Sequence, residues 1–101
     1  MSQDKIIVHI DRDLEDLIPV FMENRRKDVE NLKSAVIASD YNTLKSIGHN
    51  LKGVGGGYGF ARITDLGADI EAAAKVNDIK TITELIDSYA DYLGRVEVVY
   101  Q

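Results

Sequence analysis

The stretch 41–59, YNTLKSIGHNLKGVGGGYG, decides how the rest of the chain must fold. Its apolar residues follow one another at intervals of three, four and three positions: Leu44, Ile47, Leu51 and Val54. This spacing places them on one side of an α-helix. Each glycine in a helix interior costs about 1 kcal/mol relative to alanine, so the glycines at the end of the stretch weaken the helix there. We predict an amphipathic helix from about residue 41 to about residue 57.

The segments on both sides of this stretch have the same helical spacing. We predict helices over about 19–39, where Pro19 suits a first turn, over about 61–76 and over about 79–98. The first break falls at Ser39-Asp40 or Asn42, and the second falls at Asn77-Asp78. Short loops join helices that run in opposite directions. The predicted fold is therefore all-α, an antiparallel up-and-down four-helix bundle.

The N-terminal residues differ from this pattern. Residues 5–10, KIIVHI, are rich in β-branched side chains and favour an extended conformation. The remainder of the sequence offers no evident partner strand, so we expect an extended lead-in whose isoleucines pack on the helices. Asp11 or Asp13 is expected to cap a short N-terminal helix that continues through Leu14 and Leu17.

Size and composition exclude several classes of function. A chain of 101 residues favours a single domain over residues 1–101. Without cysteine there is no disulfide framework, thiolate metal site or cysteine nucleophile. The formal net charge of −5 argues against nucleic acid and against an anionic membrane surface. No signal peptide or membrane-spanning run is evident, which favours the cytoplasm.

The predicted central helix directs His49 away from its apolar side. At about 100° per residue, His49 lies roughly 180° from the centre of that side. The residues within about 60° of His49 on the outer face are Asn42, Lys45, Lys52, Gly53 and Gly56. Glycine is unfavourable at an exposed helical position, so Gly53 and Gly56 indicate that a partner approaches the helix closely.

The outer face also carries groups that can react with an anion. A neutral imidazole nitrogen is a competent nucleophile near pH 7. Lys45 and Lys52, about one turn before and after His49, favour an anion placed on the ring. An exposed nucleophile with adjacent cations and few occluding side chains is suited to carrying a phosphoryl group.

The segment His49-Asn50-Leu51-Lys52-Gly53, with Gly59 ten residues after the histidine, resembles the motif of the histidine-containing phosphotransfer (HPt) domain. The resemblance implies that His49 is the phosphoacceptor and that Lys52 neutralises the phosphoryl group. It also implies that Gly53 leaves room for the partner and that Gly59 allows a tight turn into the next helix. The residue before the histidine is often alanine in this family and here is Gly48.

The same resemblance implies a two-component phosphorelay. A receiver domain of a response regulator, or of a hybrid sensor histidine kinase, would present a phosphoaspartate to His49 and bring its own Mg²⁺. The group would then pass to another receiver. No ATP-binding motif is present, so we expect a phosphoryl carrier without kinase activity of its own and without a resident cofactor or metal. A monomer suffices for this chemistry.

Three other functions were considered. A phosphate-binding P-loop needs lysine and a hydroxyl residue directly after the last glycine, whereas Lys52 precedes the glycine run. A carboxylate-bridged metal bundle needs Glu-x-x-His on two helices, and position 46 is serine. A non-catalytic helical adaptor that binds a receiver or another signalling partner remains an alternative to the relay.

Overall fold

A computed structural model describes residues 4–101 of the chain. Four α-helices make up most of it: α1 (Ile18–Ile37), α2 (Tyr41–Val54), α3 (Ala61–Lys75) and α4 (Ile79–Arg95). Their apolar sides meet in one hydrophobic core. The prediction of a mainly helical fold with four long helices is confirmed. Within residues 4–101, no helix combines the length and the apolar character needed to cross a membrane.

Two helices begin with the same capping arrangement. At the start of α2, Asp40 accepts hydrogen bonds from the backbone N–H of Thr43 at 3.1 Å and from its hydroxyl at 2.6 Å. At the start of α4, Asp78 accepts the same pair from Thr81 at 3.2 and 2.7 Å. These bonds, those from the threonine hydroxyls above all, lower the pKa of both carboxyl groups. The two predicted breaks therefore end in specific N-caps.

Helices α2 and α3 cross with their backbones almost in contact. A Cβ atom on Gly48 would lie 2.7 Å from the backbone nitrogen of Glu71 and 2.9 Å from the carbonyl oxygen of Gly67. A Cβ atom on Gly67 would collide in turn with the backbone nitrogen of Lys52. Only glycine fits at positions 48 and 67 at this separation, so this pair sets the distance between the two helices.

The end of α2 differs from the prediction. The helix was expected to continue to about Gly57 but ends at Val54, and a 3-10 turn, Gly56–Tyr58, follows it. The N–H of Gly56 leaves the helical direction and donates to the Thr64 hydroxyl at 2.7 Å. Gly59 then has a φ of +90°, a conformation that side-chain-bearing residues rarely adopt, and it leads into α3.

The two ends of the described chain form a ribbon that the sequence analysis missed. Strand β1 (Ile6–Ile10) pairs in parallel with strand β2 (Val96–Tyr100), from Ile6 opposite Val96 to Ile10 opposite Tyr100. The expectation that β1 has no partner was wrong, because residues 96–98 were assigned to the last helix. That helix ends at Arg95, where the β-branched segment VEVVY begins. Arg95 joins the two ends by donating to the carbonyl of Asp4 at 2.7 Å.

The segment between the ribbon and α1 also contains less helix than expected. A single 3-10 turn, Arg12–Leu14, replaces the predicted helix through Leu17. Asp11 caps this turn by accepting the N–H of Asp13 at 2.9 Å. Helix α1 then starts with Pro19 in its first turn, as predicted.

Helix α1 contains a largely buried ion pair. Arg25 donates to Asp28 at 2.7 Å, and both side chains are largely buried. Burial raises the pKa of Asp28, and the adjacent Arg25 partly opposes that rise. The Arg25 guanidinium also lies 4.8 Å from the ring centre of Phe21, which stacks on Tyr58 of the 3-10 turn at 4.4 Å. These contacts tie the connection after α2 to α1.

Candidate functional site

His49 lies on the exposed side of α2. Leu44 and Leu51 on the opposite side of the helix are completely buried and fix its orientation. The His49 side chain is 69% exposed. Its imidazole can therefore be reached from solvent while the helix that carries it is held in the core.

Glu71 of α3 holds one nitrogen of this ring. The Nδ1 atom of His49 lies 3.1 Å from Oε2 of Glu71. The Glu71 side chain is only 13% exposed, so the carboxylate has little freedom to move away. An ionised carboxylate can only accept a hydrogen bond, so the contact assigns a proton to Nδ1. The lone pair of the neutral ring then resides on Nε2.

Lys52 completes a group of three side chains. Its Nζ lies 3.8 Å from Oε1 of Glu71, the oxygen that does not face His49. The lysine is itself well exposed, and an ion pair of this length with one exposed partner is weak. Lys52 therefore remains near His49 but is not fixed by its partner. Lys45, the other predicted cation, lies exposed on α2 four residues before His49.

The predicted glycines fall into three different settings. Around Gly53 no atom lies within 4 Å of where a Cβ would be, so the surface one turn after His49 is open. Gly56 lies beyond the end of α2, so the helical count that put it beside His49 does not extend to it. Gly59 is the positive-φ residue between the 3-10 turn and α3.

Sequence reasoning missed Glu71, although a signal was present. The buried residues of α3 include Gly67, Ile70 and Ala74, which lie at the spacing of one helix face. Glu71 falls within that face, four residues after Gly67. A carboxylate in an otherwise apolar stripe is costly to bury unless it has a hydrogen-bond or ionic partner. The close crossing at Gly48 and Gly67 brings the Glu71 carboxylate to His49.

The model of one protein family, described as the Hpt domain, matches residues 16–98. The chain belongs to the Hpt domain family. Hpt domains transfer phosphoryl groups in phosphorelays, where they interact with receiver domains and kinases. The resemblance seen in the sequence is thereby confirmed. No curated protein and no solved structure matched this chain.

One element of the structure lies partly outside the residues that match the family. The four helices and the His49 site lie inside the matched residues, whereas β1 lies entirely before them. The ribbon formed by β1 and β2 is therefore a feature of this chain that the family match does not cover in full.

Proposed function

We propose that this Hpt domain accepts a phosphoryl group on Nε2 of His49 from a receiver-domain phosphoaspartate and passes it to the aspartate of another receiver. The observation that carries the proposal is the exposed imidazole whose Nδ1 is held by the Glu71 carboxylate at 3.1 Å. Such a ring offers a free nucleophilic nitrogen to a partner, and its orientation is set before the partner arrives.

The chemical step uses the two ring nitrogens differently. The Nε2 lone pair attacks phosphorus in line, the N–P bond forms, and the bond from phosphorus to the aspartate oxygen breaks to release a carboxylate. Because Nδ1 keeps its proton, the ring becomes positively charged as the N–P bond forms. Glu71 stabilises this charge through the hydrogen bond it already accepts, as the aspartate of a Ser-His-Asp triad stabilises imidazolium. In the return step an aspartate carboxylate attacks phosphorus and the N–P bond breaks.

Lys52 is proposed to balance the phosphoryl charge. Phosphohistidine would place oxygens near an exposed lysine that now contacts only one oxygen of Glu71, at 3.8 Å. Turning toward the phosphoryl group costs little, since that contact is long and the lysine is exposed. Lys45 adds a second positive charge along the same helix and favours approach of the acidic phosphoryl centre.

A receiver is proposed to dock over α2 and the start of α1. The open surface at Gly53 admits its backbone close to His49. Val54, the residue after Gly53, lines a shallow groove together with Tyr58, and Leu17 and Val20 of the same groove expose their side chains. Exposed apolar side chains grouped along a groove are typical of a protein-binding surface. Gly56, whose N–H is used within the chain, stays a prediction as a docking residue.

Several broader expectations accompany this proposal. Helices joined by such short connections are inferred to run antiparallel, up and down. One protomer contains His49, Glu71 and Lys52, so a monomer is sufficient for the transfer. The single domain over residues 1–101, the cytoplasmic location, the absence of a resident cofactor and the supply of Mg²⁺ by the receiver stay predictions from the sequence.

Incubation with a ³²P-labelled receiver and Mg²⁺ tests the transfer. We expect acid-labile, base-stable label on the wild-type domain and none on His49→Gln. The matched control is His9→Gln, which changes the other histidine of the chain, and it should be labelled normally. If the wild type binds the receiver but acquires no label, the domain is an adaptor and the proposal fails.

The docking surface has a separate test. Val20 is 65% exposed, so Val20→Lys should leave the melting temperature nearly unchanged. It should weaken receiver binding by about tenfold, since a charge would enter an apolar contact. Val76→Lys, at an exposed site after α3, is the control and should bind normally. Equal binding by both variants would exclude the α1 groove from the interface.

A further inference from the structure

The ribbon of β1 and β2 is unusual because only one of its two faces packs on the core. Parallel sheets are normally buried on both faces, and a two-stranded ribbon is marginal by itself. Here Ile7 is 48% and Val99 is 40% exposed on the outer face, while the inner face packs on the core mainly through Ile10. Apolar β-branched residues thus face solvent on a sheet that also has unpaired edges.

The hydrogen bonds identify which backbone groups are available at the edge of β1. The carbonyl of Ile10 accepts the N–H of Gln101, and the N–H of Arg12 donates to the carbonyl of Gln101. Even-numbered residues of β1 therefore direct their backbone groups toward β2, and odd-numbered residues direct theirs outward. Ile7 and His9 lie in this outward set. Among residues 4–101, no hydrogen bond outside the ladder reaches the backbone of either.

We propose that β1 pairs with β1 of a second copy of this chain, antiparallel and centred on Val8. In this register Ile7 faces His9 of the second copy, and His9 faces its Ile7. Both residues direct N–H and C=O outward, so each pair exchanges two hydrogen bonds, and four form in all. The product is a four-stranded sheet in the order β2-β1-β1-β2, related by a two-fold axis through Val8.

Charge complementarity selects this register. Centring on Val8 places Lys5 opposite Asp11 of the second copy, and the two-fold axis repeats the pair. Both residues are exposed and lie on the same face of the strand as Ile7. Lys5 now contacts Glu97 at 3.4 Å, an exposed pair that can be shared or exchanged at little cost. A register centred on Ile7 would instead place Lys5 opposite His9, without a carboxylate to meet it.

The association is expected to be weak and reversible. One strand pair with two exposed ion pairs falls below the area of a standard protein interface. A dissociation constant on the order of 100 µM is reasonable for a contact of this size. The dimer does not depend on the proposed phosphotransfer, since no residue of the His49 site takes part in it.

Sedimentation velocity from about 10 µM to 1 mM tests the proposal by a charge-swap pair of variants. In Lys5→Glu the mutated residue faces Asp11 of the second copy, and in Asp11→Lys it faces Lys5. Each variant alone should dimerise at least about tenfold more weakly than the wild type. An equimolar mixture of the two should form a heterodimer, because both opposed pairs are then oppositely charged. Lys80→Glu has the same net charge as Lys5→Glu and should dimerise like the wild type.

A proline variant tests the edge itself. Ile7→Pro removes an N–H that faces outward and is not used by the ladder, so the ribbon should persist while dimerisation is lost. Circular dichroism and the melting temperature report on the fold of every variant. A wild type that is monomeric at 1 mM overturns the proposal. A dimer insensitive to Ile7→Pro, or charge variants that do not associate on mixing, would place the contact elsewhere and also overturn it.

Discussion

Replacing Glu71 by glutamine tests how the site activates its histidine. Glutamine has the same size and can still meet Nδ1 at about the observed 3.1 Å, so docking and stability should change little. What it removes is the negative charge beside the ring. In the proposed transfer the ring gains a positive charge as the N–P bond forms, and only the glutamate can stabilise it electrostatically.

The size of the effect follows from the geometry. A hydrogen bond to a charged group contributes about 1.5–3 kcal/mol, and a neutral one about 0.5–1.5 kcal/mol. Comparing the lower limits and the upper limits of the two ranges gives a difference of about 1–1.5 kcal/mol, and solvent screening at the 69% exposed His49 keeps it from being larger. A barrier higher by this amount slows the transfer roughly five- to thirteenfold.

The assay is single-turnover transfer from a phosphorylated receiver, followed by rapid quench with the domain in excess. Varying the domain concentration separates the maximal rate from the apparent affinity. We expect Glu71→Gln to lower the maximal rate and to leave the affinity within about twofold. NMR correlations between ring protons and nitrogens should show Nδ1–H in the wild type and a larger share of Nε2–H in the variant.

Glu84→Gln is the matched control, because it removes one acidic charge from an exposed position of α4. It should transfer at the wild-type rate. If Glu71→Gln also transfers at that rate and shows the wild-type tautomer, the carboxylate has no part in activating His49. A loss confined to affinity would instead assign Glu71 to receiver docking.

Three further predictions concern two glycines and one helix cap. Gly48→Ala puts a Cβ 2.7 Å from the Glu71 backbone, so α3 must shift. Urea unfolding should show a free energy of unfolding lower by about 1–3 kcal/mol. A stability equal to the wild type would contradict the close crossing. The Cβ of Gly53→Ala meets no atom within 4 Å, so this variant should be more stable by about 0.5–1 kcal/mol through its higher helix propensity. Gly53→Gln should retain the fold but slow the transfer. Normal transfer by Gly53→Gln would refute the role of Gly53 in partner access. Because capping lowers the pKa of Asp78 below its usual 3.8, its stabilisation is complete above about pH 4 and is lost as the pH falls further through the lowered value. Acid unfolding should consequently be less steep in Asp78→Asn, and an unchanged profile would argue against this cap.

The helices were predictable because their signals are local. Spacing of apolar residues acts within a few positions, so the four helices could be located from the sequence, although α2 and α4 end about three residues before the predicted positions. The Gly59 turn was implied by the family resemblance. The ribbon could not, since Ile6 and Val96 are joined by a contact across nearly the whole chain. Residues 96–98 also continued an apolar stripe that fitted a helix equally well, and only the pairing decides between the two.

The site likewise has one part that the sequence could predict and one part that it could not. The outward direction of His49 follows from positions on its own helix, whereas Glu71 belongs to the next one. Its proximity depends on a crossing whose glycines, at positions 48 and 67, look unremarkable when each is read alone. The function of Lys52 was inferred for an isolated cation. The structure places it against a carboxylate, so its charge is partly balanced until a phosphoryl group arrives.

The parallel pairing of β1 with β2 has a consequence for the order in which the protein folds. Ile6 and Val96 are 96 − 6 = 90 residues apart, and closing a loop of that length costs about 4 kcal/mol in chain entropy. The helices must first bring the two strands together, so the ribbon forms last and opens first. Its amides should exchange with deuterium sooner than those of α2 and α3. The β1 edge in its paired form, which the proposed self-association uses, is therefore expected only in chains that have completed folding.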